Sequence, residues 1–312
     1  MKKRIMIALM MGLIVMVTGC SKDAETTSDT TDNTEVVETE DESTSEEINE
    51  ATDASAETEV TSEEEEAAWM DYSNTIATEV ETITSSATTV QDEMSQVETL
   101  VEKYDALTDA DISQIAMNQA SQWPATVWDT ELNSLWTRMS ESLDDTTKES
   151  VETGLTQWKA MKEDAIVCAI GSEKDGGSIY GMSYQQQLAD MTRRKVYSLA
   201  NIYATSKGEE FTMPEASVYA IYVNTEDTSE IYDSLAITES YEGSAVANIS
   251  LYRTTTLTGS VTENGDGLSF VSEEGDVEGT ITYGWEGATL TIDKSGNSLV
   301  EAGQSYSFPL VF

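Results

Sequence analysis

The chain has 312 residues, 16 of them Lys or Arg and 59 Asp or Glu, for a formal net charge of -43. A field of that sign repels nucleic acid and anionic lipid headgroups and draws in basic partners, so nucleic-acid binding is set aside. There is no histidine, which removes the commonest general base and zinc ligand and every serine–histidine or cysteine–histidine nucleophile system.

Met1 to Cys20 reads MKKRIMIALMMGLIVMVTGC. Three basic residues precede an apolar run too short to span a bilayer as a helix and of the right length for a signal-peptide core. The run ends in Val17-Thr18-Gly19-Cys20, which resembles the bacterial lipobox: an aliphatic residue, two small residues, then a cysteine that is acylated. That resemblance implies lipidation at Cys20, a membrane anchor through the acyl chains, and a place on the extracytoplasmic face, as on a Gram-positive cell surface. Only Cys168 would then remain as a thiol. It sits on an apolar helix face and reads as a buried, inert residue.

Residues 21–66 contain 19 acidic side chains against Lys22 alone, and no aromatic residue. Such a composition buries too little apolar area to offset its ordering entropy, which predicts a disordered acidic tether. A flexible chain of that length spans about 40 Å, more with self-repulsion.

From residue 67 the pattern turns helical. Trp69, Ser73, Ile76, Val80, Ile83, Ala87, Val90, Met94, Val97, Val101 and Tyr104 are spaced alternately four and three. This predicts one long amphipathic helix packed on the helices that follow, with a self-associating coiled coil as the alternative. A short helix over 112–121 is expected to end at Trp123-Pro124. Two further helices carry Leu132, Leu135, Trp136, Met139, and then Leu155, Trp158, Met161, Ala165. A turn at Asp175-Gly176-Gly177-Ser178 precedes the last helix, which carries Leu188, Met191, Val196, Leu199. Aromatic residues at helical spacing read first as core.

Within this region five motifs follow in order: Met117-Asn118-Gln119-Ala120, Asp129-x-Glu131-Leu132-Asn133, Gln157-Trp158, Gly176-Gly177-Ser178, and Thr192-Arg193-Arg194-Lys195 before Leu199. Their order resembles the LprI-type domain, an α-helical module of secreted bacterial proteins whose namesake inhibits lysozyme. Ser121 stands at the family's first cysteine position, and the family's cysteine pairs are absent. Lys195 stands at its arginine position, with Arg194 beside it. The resemblance implies a helical binding module, and it makes Asp129, Asn133, Trp136, Trp158 and Arg194 candidate binding residues. The Gly176-Gly177 turn is the candidate protrusion for a partner's cleft. Physically, Asp129, Asn133 and Arg194 or Lys195 read as a polar network between helices, or Asp129 as a helix N-cap, and the structural readings lead.

The texture changes at Lys207-Gly208. Period two then dominates, in Tyr219, Ile221, Val223, in Ala247, Ile249, Leu251 and in Val277, Gly279, Ile281. Glycine-rich turns recur every 8–12 residues or so, which predicts about eight short strands in an antiparallel barrel or sandwich that folds alone. Tyr252, Arg253, Tyr283 and Trp285 are candidate wall residues should the barrel hold a ligand; a barrel filled by its own side chains is the preferred reading. Asn264-Gly265-Asp266-Gly267 lacks the spacing and terminal glutamate of a calcium loop and reads as a hairpin turn.

The expected organisation is a signal peptide (1–20), a tether (21–66), a helical bundle (67–206) and an antiparallel β domain (207–312). The expected function is binding at the cell surface, with lysozyme or another basic protein as the implied partner. The alternative is an envelope module for cell-wall polymer, protein or small solute. No cofactor, metal or catalytic residue is expected: acidic residues abound, yet no carboxylate pair is singled out as a glycosidase would require.

Overall fold

The computed structural model describes residues 63–109, 112–225, 232–240, 243–265 and 267–312. The signal segment, Cys20 and nearly all of the tether lie outside the described residues.

Two architectures follow one another: a helical bundle and an antiparallel β barrel. The helices are α1 (Glu63–Ala68), α2 (Ser73–Ser86), α3 (Val90–Asp105), α4 (Gln114–Ala120), α5 (Gln122–Ser140), α6 (Asp145–Ile170), α7 (Glu173–Gly176) and α8 (Tyr180–Lys207). The single long helix expected over 69–104 is two helices. Ala87 takes an extended conformation, and the Thr89 side chain caps α3 by accepting from the Asp92 amide at 3.1 Å. The apolar stripe survives the break in phase, so its spacing alone reads as continuous. Paired threonines offer the backbone side-chain hydrogen bonds that compete with helix and favour a cap. The chain then doubles back, and Glu79 of α2 meets Lys103 and Tyr104 of α3 at 2.6 and 2.8 Å. Both helices pack on α5, so the stripe has its partner within the chain.

Pro124 lies in the first turn of α5 instead of ending the helix before it. A first-turn residue has no intrahelical amide bond to lose, so proline fits there. Asp144 caps α6 by accepting from the amides of Thr146 and Thr147. Gly208, in the left-handed region at φ 70°, ends α8. α5 packs most extensively on α8, and their facing residues Trp128, Leu132, Leu135, Val196 and Ala200 are buried. No helix among the described residues is long and apolar enough to cross a membrane.

The strands are β1 (Ala220–Thr225), β2 (Tyr232–Glu239), β3 (Ala245–Leu251), β4 (Thr255–Asn264), β5 (Gly267–Ser272), β6 (Val277–Gly284), β7 (Gly287–Ser295), β8 (Ser305–Phe308) and β9 (Leu310–Val311). Each of β1 to β8 pairs antiparallel with its neighbour in sequence, and β9 returns to β1. The last segment closes the barrel: β8 pairs with β7, Pro309 interrupts the ladder, and β9 pairs with β1. Gly259 in β4 is required by closeness, because a Cβ there would collide with the Val271 carbonyl oxygen. Tyr222, Phe270 and Phe308, each at most 1% exposed, fill the interior together with Ile249, Ile281 and Leu290.

β1 is buried on both faces. Ala220 and Tyr222 join the barrel interior, while Ile221 and Val223 join the core of the helical bundle, as do Ala236 of β2 and Phe312. The helical core thus extends onto the outer surface of the barrel, and the chain from α1 onward is one compact unit.

Candidate functional site

The family-like motifs split into two groups by location. One group braces the helical bundle internally. Asn118 of α4 donates from Nδ2 to the Ser178 carbonyl at 2.7 Å, which pins the glycine turn to α4. Gly177 is exposed and has φ 60° with ψ -151°, a region open essentially to glycine. Gly176 is half-buried, and a Cβ there would stand 2.5 Å from the Tyr180 ring. Thr192 is buried in α8 and donates to the Leu188 carbonyl at 2.7 Å.

The second group fastens the bundle to the barrel. Gln157 of α6 donates to the Thr225 hydroxyl of β1. Trp158 stacks on Phe312 with ring centroids 6.2 Å apart and planes 15° apart. Arg194 of α8 donates to the main-chain oxygens of Phe312, at 2.6 Å, and of Tyr219. The chain from 206 back to 157 therefore reads the barrel with three side chains that recur in the motif series.

The expected network of Asp129 and Asn133 with Arg194 or Lys195 does not form. Asp129 lies in the middle of α5, which also rules out an N-cap role. Asn133 donates to the Asp129 carbonyl and carboxylate at 2.8 and 3.1 Å, and Lys159 of α6 approaches Asn133 at 3.5 Å. Both Asp129 and Asn133 are exposed. Arg194 is directed at the barrel, and Lys195 lies 5.6 Å from the Trp158 ring centre, each because α8 turns that part of its surface away from α5. Trp136 is half-buried against the bundle core, and Trp158 is 1% exposed. The candidate binding residues are thus spread over the molecule and do not converge on one place. Cys168 is half-buried, not fully enclosed as its helix face predicts.

A buried charge cluster escaped the motif reading. Glu131, within the Asp129–Asn133 motif, is fully buried at 0% exposure, and Glu93 of α3 is at 4%. Arg138 joins them, with Nη1 at 3.0 Å from Glu93 Oε2 and Nη2 at 3.1 Å from Glu131 Oε1. Among the described residues Glu131 Oε2 has no hydrogen-bond partner. Desolvation, followed by the adjacent Glu93, pushes the Glu131 carboxyl far above the ordinary carboxylate range, so it keeps its proton at neutral pH. The signal in the sequence is a Glu at the core phase of α5, four residues after Val127 and four before Leu135.

Arg194 also borders a cavity of about 490 Å³ between α8, the segment leading into β1, the end of β2 and the β6–β7 turn. Trp285 lines it and donates from Nε1 to the Pro214 carbonyl at 3.0 Å. The barrel-wall assignment fails for three residues, Trp285 and the pair Tyr252 and Arg253, which lie in the exposed β3–β4 turn, where Arg253 has φ 55°. Tyr283 packs half-buried against the barrel core, and Trp285 faces the junction outside the barrel. Among the described residues no group of three or more acidic or cysteine side chains could hold a metal ion.

Residues 105–199 match the family model described as Lysozyme inhibitor LprI. The match runs from the end of α3 to Leu199 in α8, so the helical region carries an LprI-like domain and the barrel lies outside it. That family is one of non-catalytic inhibitor domains. No curated protein and no solved structure matches the chain. An LprI-like domain supports a module that interacts at the cell surface or envelope.

Proposed function

We propose that the protein is a lipid-anchored binding protein of the extracytoplasmic face and that its helical domain engages a basic, wall-acting enzyme of lysozyme type. The observation that carries this reading is the match of residues 105–199 to the lysozyme-inhibitor family. Two features support it. The net charge of -43 favours fast encounter with a basic protein, and the Gly176-Gly177 turn, exposed at Gly177, stands on a stiff mount, tied to α4 through Asn118. In this reading residues 1–20 are a signal peptide, Cys20 carries the lipid, 21–66 is a tether, 67–206 is the binding domain and 207–312 is a second, β domain. Asp129 and Asn133, exposed on α5, belong to the contact surface.

Lysozyme activity on cell walls tests the reading, with residues 21–312 added in excess at about 0.15 M salt, where exposed charges are screened beyond roughly 8 Å. Dose-dependent inhibition at that salt supports a specific inhibitor. Inhibition that disappears with salt, or none at all, counts against it.

A further inference from the structure

The cavity at the junction of bundle and barrel has a chemistry that the lysozyme reading does not use. We propose that it binds a small organic cation, an ammonium group on an apolar stem. Its volume of about 490 Å³ falls in the range of small-molecule sites, about 300–1,000 Å³. Asp190 of α8, Glu215 ahead of β1 and Glu239 at the end of β2 approach it from three elements. Arg193 and Arg194 also line it, but both are engaged elsewhere. Arg193 donates from Nε to Glu98 at 2.6 Å, and Arg194 holds the oxygens of Phe312 and Tyr219. Among the described residues no ion pair includes Asp190, Glu215 or Glu239.

The three carboxylates therefore face the cavity without a bonded cation. All three are exposed to solvent at the cavity's edge, and Arg193 and Arg194 beside Asp190 offset part of its charge. An incoming cation meets three carboxylates outside any ion pair, whereas the two arginines already donate to Glu98 and to main-chain oxygens. A divalent metal is disfavoured on geometry, since the acidic side chains do not gather into a metal-holding group. An organic cation differs because its charge and stem reach between separated carboxylates. Trp285 and Tyr219 supply the apolar and aromatic lining, which suits an ammonium group with alkyl substituents. Trp285 is held in place by its bond to Pro214 and by Tyr197, 6.2 Å away between ring centroids.

The test is amide and indole NMR shifts of residues 21–312 titrated with cadaverine at about 0.15 M salt, with pentanol and glutarate as neutral and anionic counterparts. The proposal expects saturable shifts from cadaverine at residues 186–194, 237–239 and the Trp285 indole, and none from the other two. Asp190→Asn with Glu239→Gln is expected to weaken cadaverine at least ten-fold with the melting temperature kept; Trp285→Leu weakens it in a second, uncharged way. Shifts confined to residues 21–66, equal response to pentanol or glutarate, or unchanged affinity in both variants overturns the proposal. The lysozyme assay is independent of each outcome.

Discussion

Trp158 in α6 lies flat against Phe312, with ring planes 15° apart, although 154 positions separate them in the chain. Trp158 belongs to the LprI-like domain and Phe312 to the segment that closes the barrel, so one aromatic pair joins two architectures. The Phe312 amide extends the closing ladder by donating to the Ile221 carbonyl at 2.8 Å, and its own oxygen accepts from Arg194.

Phe312→Ala removes a fully buried ring and is expected to cost about 3–5 kcal/mol. Because Phe312 and Ile221 share the bundle core, helix and strand signals should melt together in the wild-type protein. Circular dichroism of helix content, set against amide NMR signals of β3 to β7, checks this. Two separated wild-type transitions would contradict the shared core.

Glu131 governs a pH dependence. The native state keeps its proton well above the pH at which the unfolded chain releases it, at about 4.3. From there upward the unfolded state binds fewer protons at this site, so its contribution to stability falls as pH rises. Glu131→Gln removes that slope while keeping a side-chain oxygen that accepts from Arg138. Urea midpoints at pH 5 and pH 8 should show the variant gaining on wild type at the higher pH. Arg138→Met leaves Glu93 buried without its cation and is expected to cost about 3 kcal/mol.

Lys195 has the opposite sign of dependence. Burial brings its pKa down to about 8, and no ion pair among the described residues compensates it. Its charge costs stability below pH 8, and that cost is relieved as pH rises from about 8 towards the ordinary lysine value near 10.4. By area the side chain is only partly covered, so solvent screens part of this cost. Lys195→Met should stabilise the protein by about 1–2 kcal/mol at pH 7, with the difference shrinking by pH 10 in chemical denaturation.

Gly177→Ala forces a side chain into backbone that glycine alone adopts readily, at a cost of about 1–3 kcal/mol. If the turn enters a lysozyme cleft, inhibition drops at least ten-fold at temperatures where the variant remains folded. Unchanged inhibition would move the contact surface away from the turn, towards Asp129 and Asn133 on α5.

The sequence by itself determined the local elements and their order. The spacing of Leu132, Leu135 and Met139, the cap at Asp144, the stop at Gly208 and the strand alternation each depend on neighbours a few positions away. The break at Thr88-Thr89 had a local signal too, but an unbroken stripe outweighed it. Ala220 to Val223 is a continuous apolar run, the pattern of a strand covered on both faces, and its second covering surface comes from helices. Only the tertiary structure decided what those helices cover and where the charges go. Arg138 joins Glu131 to Glu93, which α3 brings from 38 positions earlier, and Arg194 is taken by oxygens of Tyr219 and Phe312 instead of Asp129. The cavity likewise exists only where α8 meets the barrel. Spacing records which residues share a face of one element; which element meets that face depends on contacts between residues far apart in the chain.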